Sequence, residues 1–371
     1  MKMKAVIERE KLLKILNRVQ AVADRKSSMA ILSTVLVEGR ENVLSLSATD
    51  LEIGYRGEVP VEMEGEGAFC LPARKFYEIV RNFPRETLIL EGEVEGGVEI
   101  RDLDQDITYR LSTFAPEDFP SLPDISGETV VEVPGETLEE MLEKTLYAAA
   151  TDEARYALSG ILVTREGENL RLVATDGHRL SLVDREVPGV EVLPLEEGVI
   201  VPRKAAQEIK RIASEEVVVR LGIQDHHFVV SSTEGILLAR LIEGQFPDYR
   251  AVIPRDPGRR VLVHRERLAE ALKRVSLLAS DKYRVVRFDF APGEVVLTGS
   301  GGELGEARER LPLSYEGDPF TINFNARYLL DVFNVMESEE VELDIGSERT
   351  PCRITGPEDP GFLALVMPMA V

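Results

Sequence analysis

The stretch VATDGHRLSLV, residues 173–183, sets Asp176, His178 and Arg179 within four positions of a chain that holds four histidines. A carboxylate, an imidazole and a guanidinium this close are the parts of a general base with its orienting acid and an anion clamp, as hydrolases and transferases use them. That chemistry also needs a nucleophile or a metal, and no serine or cysteine nucleophile motif accompanies the three residues. The competing expectation is a strand-end turn whose His-Arg-Leu run lines a surface groove. A hydrolase or transferase built on Asp176 and His178 is therefore kept as the alternative reading. His226 and His227 are adjacent, and neighbours on a strand point to opposite faces, which makes them a poor metal pair. The glycines of TGSGGELGEA, residues 298–307, miss the G-x-G-x-x-G spacing and the lysine of a phosphate loop, so they read as a hairpin loop. No residue is assigned a catalytic, metal or cofactor role.

The elements that must position these residues recur along the chain. VLSLSATDLEIGYRGEVPV, from Val43, aligns with NLRLVATDGHRLSLVDREVPG, from Asn169, at an offset of 126 that brings Ala48-Thr49-Asp50 onto Ala174-Thr175-Asp176. LPARKF (from Leu71) matches VPRKAA (from Val201), and Phe119-Pro120 matches Phe246-Pro247. A fainter third copy places EVVLTGSGG (from Glu294) where NLRLVATDG stands in the second. Leu138, Met141, Leu142, Thr145 and Leu146, and again Leu268, Ala271, Leu272, Val275 and Leu278, follow the i, i+3, i+4, i+7 spacing of an amphipathic helix. Second helices are expected near Pro72–Phe83, Pro202–Ser214 and Asn325–Met336, the first two with proline in the first turn. Alternating runs such as Leu44, Leu46, Ala48 and Val217, Val219, Leu221 read as antiparallel strands. The expected architecture is α+β, two helices per mostly antiparallel sheet, three times over. Because the first copy follows Ala-Thr-Asp with Leu51-Glu52-Ile53, Asp50 and Asp176 are expected to be turn residues of the fold.

With 371 residues, 44% of them apolar, the chain can bury the cores of two or three domains. MKMKAVIEREKLL turns charged almost at once, unlike a secretory signal, and no apolar run approaches the length of a membrane span. Two cysteines, Cys70 and Cys352, form no disulfide framework or metal spacing and fit a reducing cytoplasm. The net charge of -22, taken alone, argues against nucleic acid or an anionic membrane as partner. Its distribution argues differently. Segments 8–26, 72–85, 202–214 and 264–284 are each net +3, while 134–152 is net -4 and 325–336 neutral. The six helical segments thus sum to +8 and leave -30 on the rest, as one basic face on an acidic body would require.

These residues resemble the bacterial β sliding clamp family, the processivity subunit of DNA polymerase III, over the whole chain. EREKLLKILNRV, SATDLEIG, LPARKF, DFPSLPD, TDEARYALSGILV, VATDGHRLSLV, GQFPDYRAVIP, FNARYLLDVFN and the terminal LVMPMAV carry the likeness. The resemblance implies three topologically similar DNA-clamp domains per chain, at 1–125, 126–256 and 257–371, with helices lining a ring and antiparallel sheets outside. It implies no catalytic activity and no cofactor. A homodimer joined head to tail would encircle double-stranded DNA without regard to sequence in the bacterial cytoplasm. By the same resemblance, Arg25, Lys26, Arg74, Tyr156, Arg203 and Lys204 face DNA. A peptide pocket maps onto Leu158, Thr175, Gly177, His178, Arg179, Leu180, Pro247, Val252, Leu365, Val366, Met367, Pro368 and Met369. It receives short motifs of the replicative polymerase catalytic subunit, the clamp loader, repair polymerases and ligase. Tyr109 and Leu111 are expected to meet Leu277 and Leu278 across the dimer interface. The chain departs from the family pattern at Asp152, where a glutamine can stand, at Ala157 in place of a tyrosine, at Ala30 in place of a proline and at Ala251 in place of an arginine.

Overall fold

The computed structural model describes residues 2–24, 27–123, 129–152, 157–279, 284–302 and 305–370. Six α-helices lie among them: α1 Arg9–Val22, α2 Ala73–Asn82, α3 Gly135–Leu146, α4 Arg203–Ala213, α5 Arg265–Val275 and α6 Ala326–Val335. The apolar periodicity becomes their buried stripe, as in α1 with Leu12, Ile15, Leu16, Val19 and Val22, and in α5 with Leu268, Ala271, Leu272 and Val275. Leu278 falls outside the helix, half-buried in the 3-10 turn Ser276–Leu278. The prolines differ from expectation by one step. Pro72 is the N-cap of α2, and Pro202 ends the strand Val199–Pro202 just ahead of α4. Ring-fixed φ suits the strand exit, and the missing N–H falls where the helix has no use for it. Val217 lies outside the strand Val218–Gln224 and is 88% exposed, while Val219 and Leu221 are buried as the alternation demands. No helix among the described residues is long and apolar enough to cross a membrane.

The chain forms two compact units. The first comprises Met1–Gly135 and Arg211–Leu241. It holds a five-stranded sheet ending in the edge strand Thr108–Leu111, and an eight-stranded sheet. In the larger sheet Gly235–Arg240, from the second copy, pairs antiparallel with Ile53–Pro60 from the first. The second unit comprises Glu136–Lys210 and Ile242–Val371. Its eight-stranded sheet is built on the same plan, with Phe362–Val366 of the third copy pairing against Arg179–Glu186 of the second. A four-stranded sheet completes it, with the hairpin Glu294–Ser300/Glu306–Pro312 built around the glycine-rich stretch. The middle copy thus contributes strands to both units, and α+β repeats joined edge to edge leave fewer open edges than separate domains would.

The acidic helix α3 has a reason that its charge count does not disclose. Lys144 is buried on it, with Nζ 2.8 Å from Asp359 Oδ1 and 2.7 Å from Glu140 Oε1. Asp359 also accepts the amide of Ser338 at 2.9 Å and its hydroxyl at 2.6 Å. Burial pushes the Lys144 ammonium down, yet the hydrogen bonds to Asp359 and Glu140 outweigh it and leave its pKa above the ordinary lysine value. Cys70 and Cys352 are buried free thiols, and burial raises Cys70 to about 11, so it stays protonated and inert.

Candidate functional site

The turn that carries Asp176 and His178 forms because the chain must reverse between the strands Asn169–Thr175 and Arg179–Glu186. Asp176 Oδ1 accepts the amides of His178 at 2.9 Å and Arg179 at 3.0 Å, and Oδ2 accepts Arg179 Nε at 3.1 Å. Thr175 Oγ1 accepts the amide of Gly177 at 3.1 Å and donates to the Arg179 carbonyl at 2.6 Å. Gly177 sits at φ 86°, where a side chain is disfavoured. Asp50 makes the corresponding bonds, to the amides of Glu52 at 2.9 Å and Ile53 at 2.7 Å. Asp176 is thus spent on its own backbone and on Arg179.

Arg179 is held from three sides: Nη1 donates to Asp331 Oδ2 at 2.5 Å, Nη2 to the Tyr147 carbonyl at 2.6 Å, and the guanidinium lies 4.6 Å from the Tyr328 ring centroid. The His178 ring runs nearly parallel to Tyr328, at 17° and 6.3 Å. The Asp176 carboxylate is aimed at the amides of His178 and Arg179 and at the Arg179 guanidinium, so it builds the turn where a general base would need it to orient the imidazole. The hydrolase or transferase alternative falls on this geometry.

Beside the turn lies a mostly apolar cavity of about 170 Å³. Leu180 and Leu365, opposite each other across two strands, make its floor, with Leu158 beside them. Thr175, Gly177, His178 and Arg179 form one wall, and Pro247 and Val252 the other, with Met367 at the chain's end. Val366, Pro368 and Met369 do not line it. Strand alternation turns Val366 to the opposite, fully buried face, and the tail runs on so that the amide of Met369 donates to the Asn323 carbonyl at 2.8 Å. Asp248, Tyr249 and Pro351 line the cavity although the sequence reading passed over them. Tyr249 could have been found as the second residue after Pro247, but Pro351 arrives from a distant loop and left no signal.

Arg25, Lys26 and Tyr156 lie outside the described residues. Arg74 is exposed and Nε donates to Glu78 Oε1 at 2.7 Å; Lys75 reaches the same carboxylate at 2.8 Å and, with Arg74, holds it below the usual carboxylate range. Lys204 is exposed, while Arg203 is half-buried and its Nε has no hydrogen-bond partner among the described residues. Tyr109 and Leu111 stand on an edge strand, and Leu277 is 81% exposed in the turn after α5. Asp102, Asp104 and Asp106 bring carboxylate oxygens within 4.8 Å of one another, but Asp102 Oδ1 is taken by the amide of Ile107 at 3.0 Å, as in a turn.

Repeats of two helices and antiparallel sheet, joined edge to edge, with an apolar groove beside the Asp176 turn, are the architecture that known proteins can be matched against. The family models for the DNA polymerase III beta subunit match as its N-terminal domain at residues 3–123, central domain at 132–248 and C-terminal domain at 250–370. The beta sliding clamp of Proteus mirabilis is 34% identical over 374 residues, covering 99% of this chain and all of that one. The Escherichia coli K12 beta sliding clamp is 34% identical over 375 residues, with 99% and 100% covered. Among solved structures, the Caulobacter crescentus clamp with polyethylene glycol in its putative beta-motif tethering region superposes with a TM-score of 0.94 at 34% identity, over the whole of both chains. A Pseudomonas aeruginosa clamp bound to griselimycin gives 0.91 at 31%, again over both whole chains. The chain belongs to the DNA polymerase III beta subunit family. Membership makes it a non-catalytic DNA sliding clamp.

Proposed function

We propose that two copies of this chain close head to tail around double-stranded DNA and tether the replicative polymerase catalytic subunit, the clamp loader, repair polymerases and ligase through short peptides bound beside His178. The observation that carries the tethering is the groove itself. A floor of Leu180 and Leu365, with Val252 left 51% exposed at the rim, offers an apolar anchor a dry seat, while His178 and Arg179 supply donors at its edge. Ring closure is supported by two apolar pairs that reach the surface, exposed Tyr109 with half-buried Leu111 on an edge strand, and exposed Leu277 with half-buried Leu278 in the turn after α5. The basic helical segments supply sequence-blind attraction to phosphates, and the acid excess elsewhere limits contact from outside. The domains fall at 1–125, 126–256 and 257–371 in this reading, and the bacterial cytoplasm is its compartment.

The test is retention on plasmid. Once loaded, the protein should remain on closed circular DNA through gel filtration and leave the same DNA after a single linearising cut. Equal retention on both forms would rule out encirclement, and polymerase that stays on the clamp-loaded circle despite a competing polymerase-tail peptide would rule out the groove as the tether.

A further inference from the structure

The first unit repeats the strands that carry the proposed peptide groove, and strand register identifies the matching residues. Thr175 pairs with Leu180 as Thr49 pairs with Gly54, and Val173 with Leu182 as Ser47 with Arg56. On the next strand Leu180 faces Leu365 as Gly54 faces Leu238. The floor residue Leu180 is therefore replaced by Gly54, and the apolar Val173 and Leu182 by Ser47 and Arg56.

The space that Gly54 leaves is filled. A Cβ placed on Gly54 would lie 2.6 Å from Leu122 Cδ2, so the half-buried Leu122 side chain rests directly on that glycine. Leu122 follows Phe119-Pro120 as Tyr249 follows Phe246-Pro247. In the second unit Tyr249 is held in place: its hydroxyl accepts from Arg171 Nη1 at 3.3 Å, and Arg250 stacks over its ring at 5.1 Å. Arg171 pairs with Asp184 as Ser45 pairs with Glu58, so the first unit has a serine where the second has the arginine that holds Tyr249. Phe119, buried with Ile31, Leu32 and Cys70, fixes the segment that delivers Leu122.

We propose that Leu122 is an internal ligand of the first-copy groove, an apolar anchor supplied by the chain itself, and that it limits each chain to one peptide site. This rests on the reading of the second-copy groove as a peptide site. The occupant is the segment Phe119–Leu122, whose Leu122 side chain rests on Gly54, the residue that matches the floor residue Leu180. Without it, the groove over Gly54 and Leu238 is open, with Arg56 at its side to favour a peptide carrying an acid next to its anchor.

Titration calorimetry on the full-length chain tests this, with a peptide of the Gln-Leu-x-Leu-Phe type and a second version carrying Glu before its last anchor. Wild type should bind one peptide per chain, and deletion of 367–371 should weaken that binding about thirtyfold or more, which tests the parent reading. Leu122→Ala should bind two, retaining one after the same deletion. Hydrogen exchange in 112–123 should speed up at least tenfold in Leu122→Ala, a readout independent of any peptide. Gly54→Ala, whose methyl displaces Leu122, should reproduce both effects if Leu122→Ala folds poorly. One peptide per chain in the folded variants overturns the proposal. If wild type binds none, the parent reading fails, and unchanged exchange in 112–123 would then overturn this one as well.

Discussion

Leu180 and Leu365 face each other across neighbouring antiparallel strands, 4% and 2% exposed, so the last strand of the chain supplies half the floor of a groove whose wall is the Asp176 turn. Deleting 367–371 removes Met367 and its amide bond to the His178 carbonyl, 2.8 Å long, without touching that floor. The loss in peptide binding should be about 2 kcal/mol or more, close to thirtyfold in Kd, as for other buried hot spots. Calorimetry on a truncated chain that remains folded measures it. Undiminished binding would move the partner site elsewhere.

Asp176→Ala strands the amides of His178 and Arg179 and loosens Arg179, and should cost about 1 to 3 kcal/mol of stability by urea unfolding. His178→Ala should cost much less. Neither substitution should change any hydrolase signal above that of buffer, and a signal that vanishes with His178 would restore the catalytic alternative.

Leu51 occupies the place of Gly177 in the first-copy turn at φ 77°, a region that costs a side-chain-bearing residue about 1 to 2 kcal/mol. It is 52% exposed, so little packing is at stake. Leu51→Gly should therefore raise stability by about 1 kcal/mol, net of the entropy that glycine gains in the unfolded chain. A lower melting temperature would contradict it.

The Lys144–Asp359 pair gives a pH dependence with two opposite limbs. Burial raises the Asp359 pKa, but hydrogen bonds from Lys144 and Ser338 outweigh it and leave the value below the usual aspartate range. Its contribution is complete above the unfolded aspartate pKa, about 3.9, and is lost as pH falls through the folded value below that. Lys144 is raised, so its share is complete below about 10.4 and is lost as pH climbs through its higher folded value. The pair's own contribution should be constant between those limits, read as the difference in urea midpoint between wild type and Asp359→Asn. Asp359→Asn should cost about 3 kcal/mol at neutral pH and flatten this part of the acid limb, because Lys144 would keep Glu140 at 2.7 Å but otherwise only the exposed Glu337 at 3.8 Å.

Leu278→Asp should yield monomers by sedimentation at micromolar concentration, since a half-buried apolar residue in the turn after α5 would become a charge inside the proposed interface. Arg74→Ala with Lys204→Ala should shorten retention on circular plasmid and leave the dimer intact. The effect should shrink as salt is raised, because the proposed contacts are to phosphates.

The threefold repeat, the helices and the Asp50 and Asp176 turns were legible in the sequence because each depends on local spacing: an apolar stripe every third and fourth residue, an alternation, an acid ahead of two amides. Tertiary structure decided whatever depends on which residues meet from far along the chain. Lys144 reads as an exposed helix cation until Asp359, 215 residues away, is folded against it. Pro351 reaches the groove from a loop that has no apolar pattern, and Val366 leaves it because strand alternation, invisible without the pairing to Arg179–Glu186, turns it away. The charge count found the basic segments but not that Glu78 is shared by Arg74 and Lys75 on one helical face. The first-copy groove was legible as a repeat and not as closed, because only the fold rests Leu122 on Gly54.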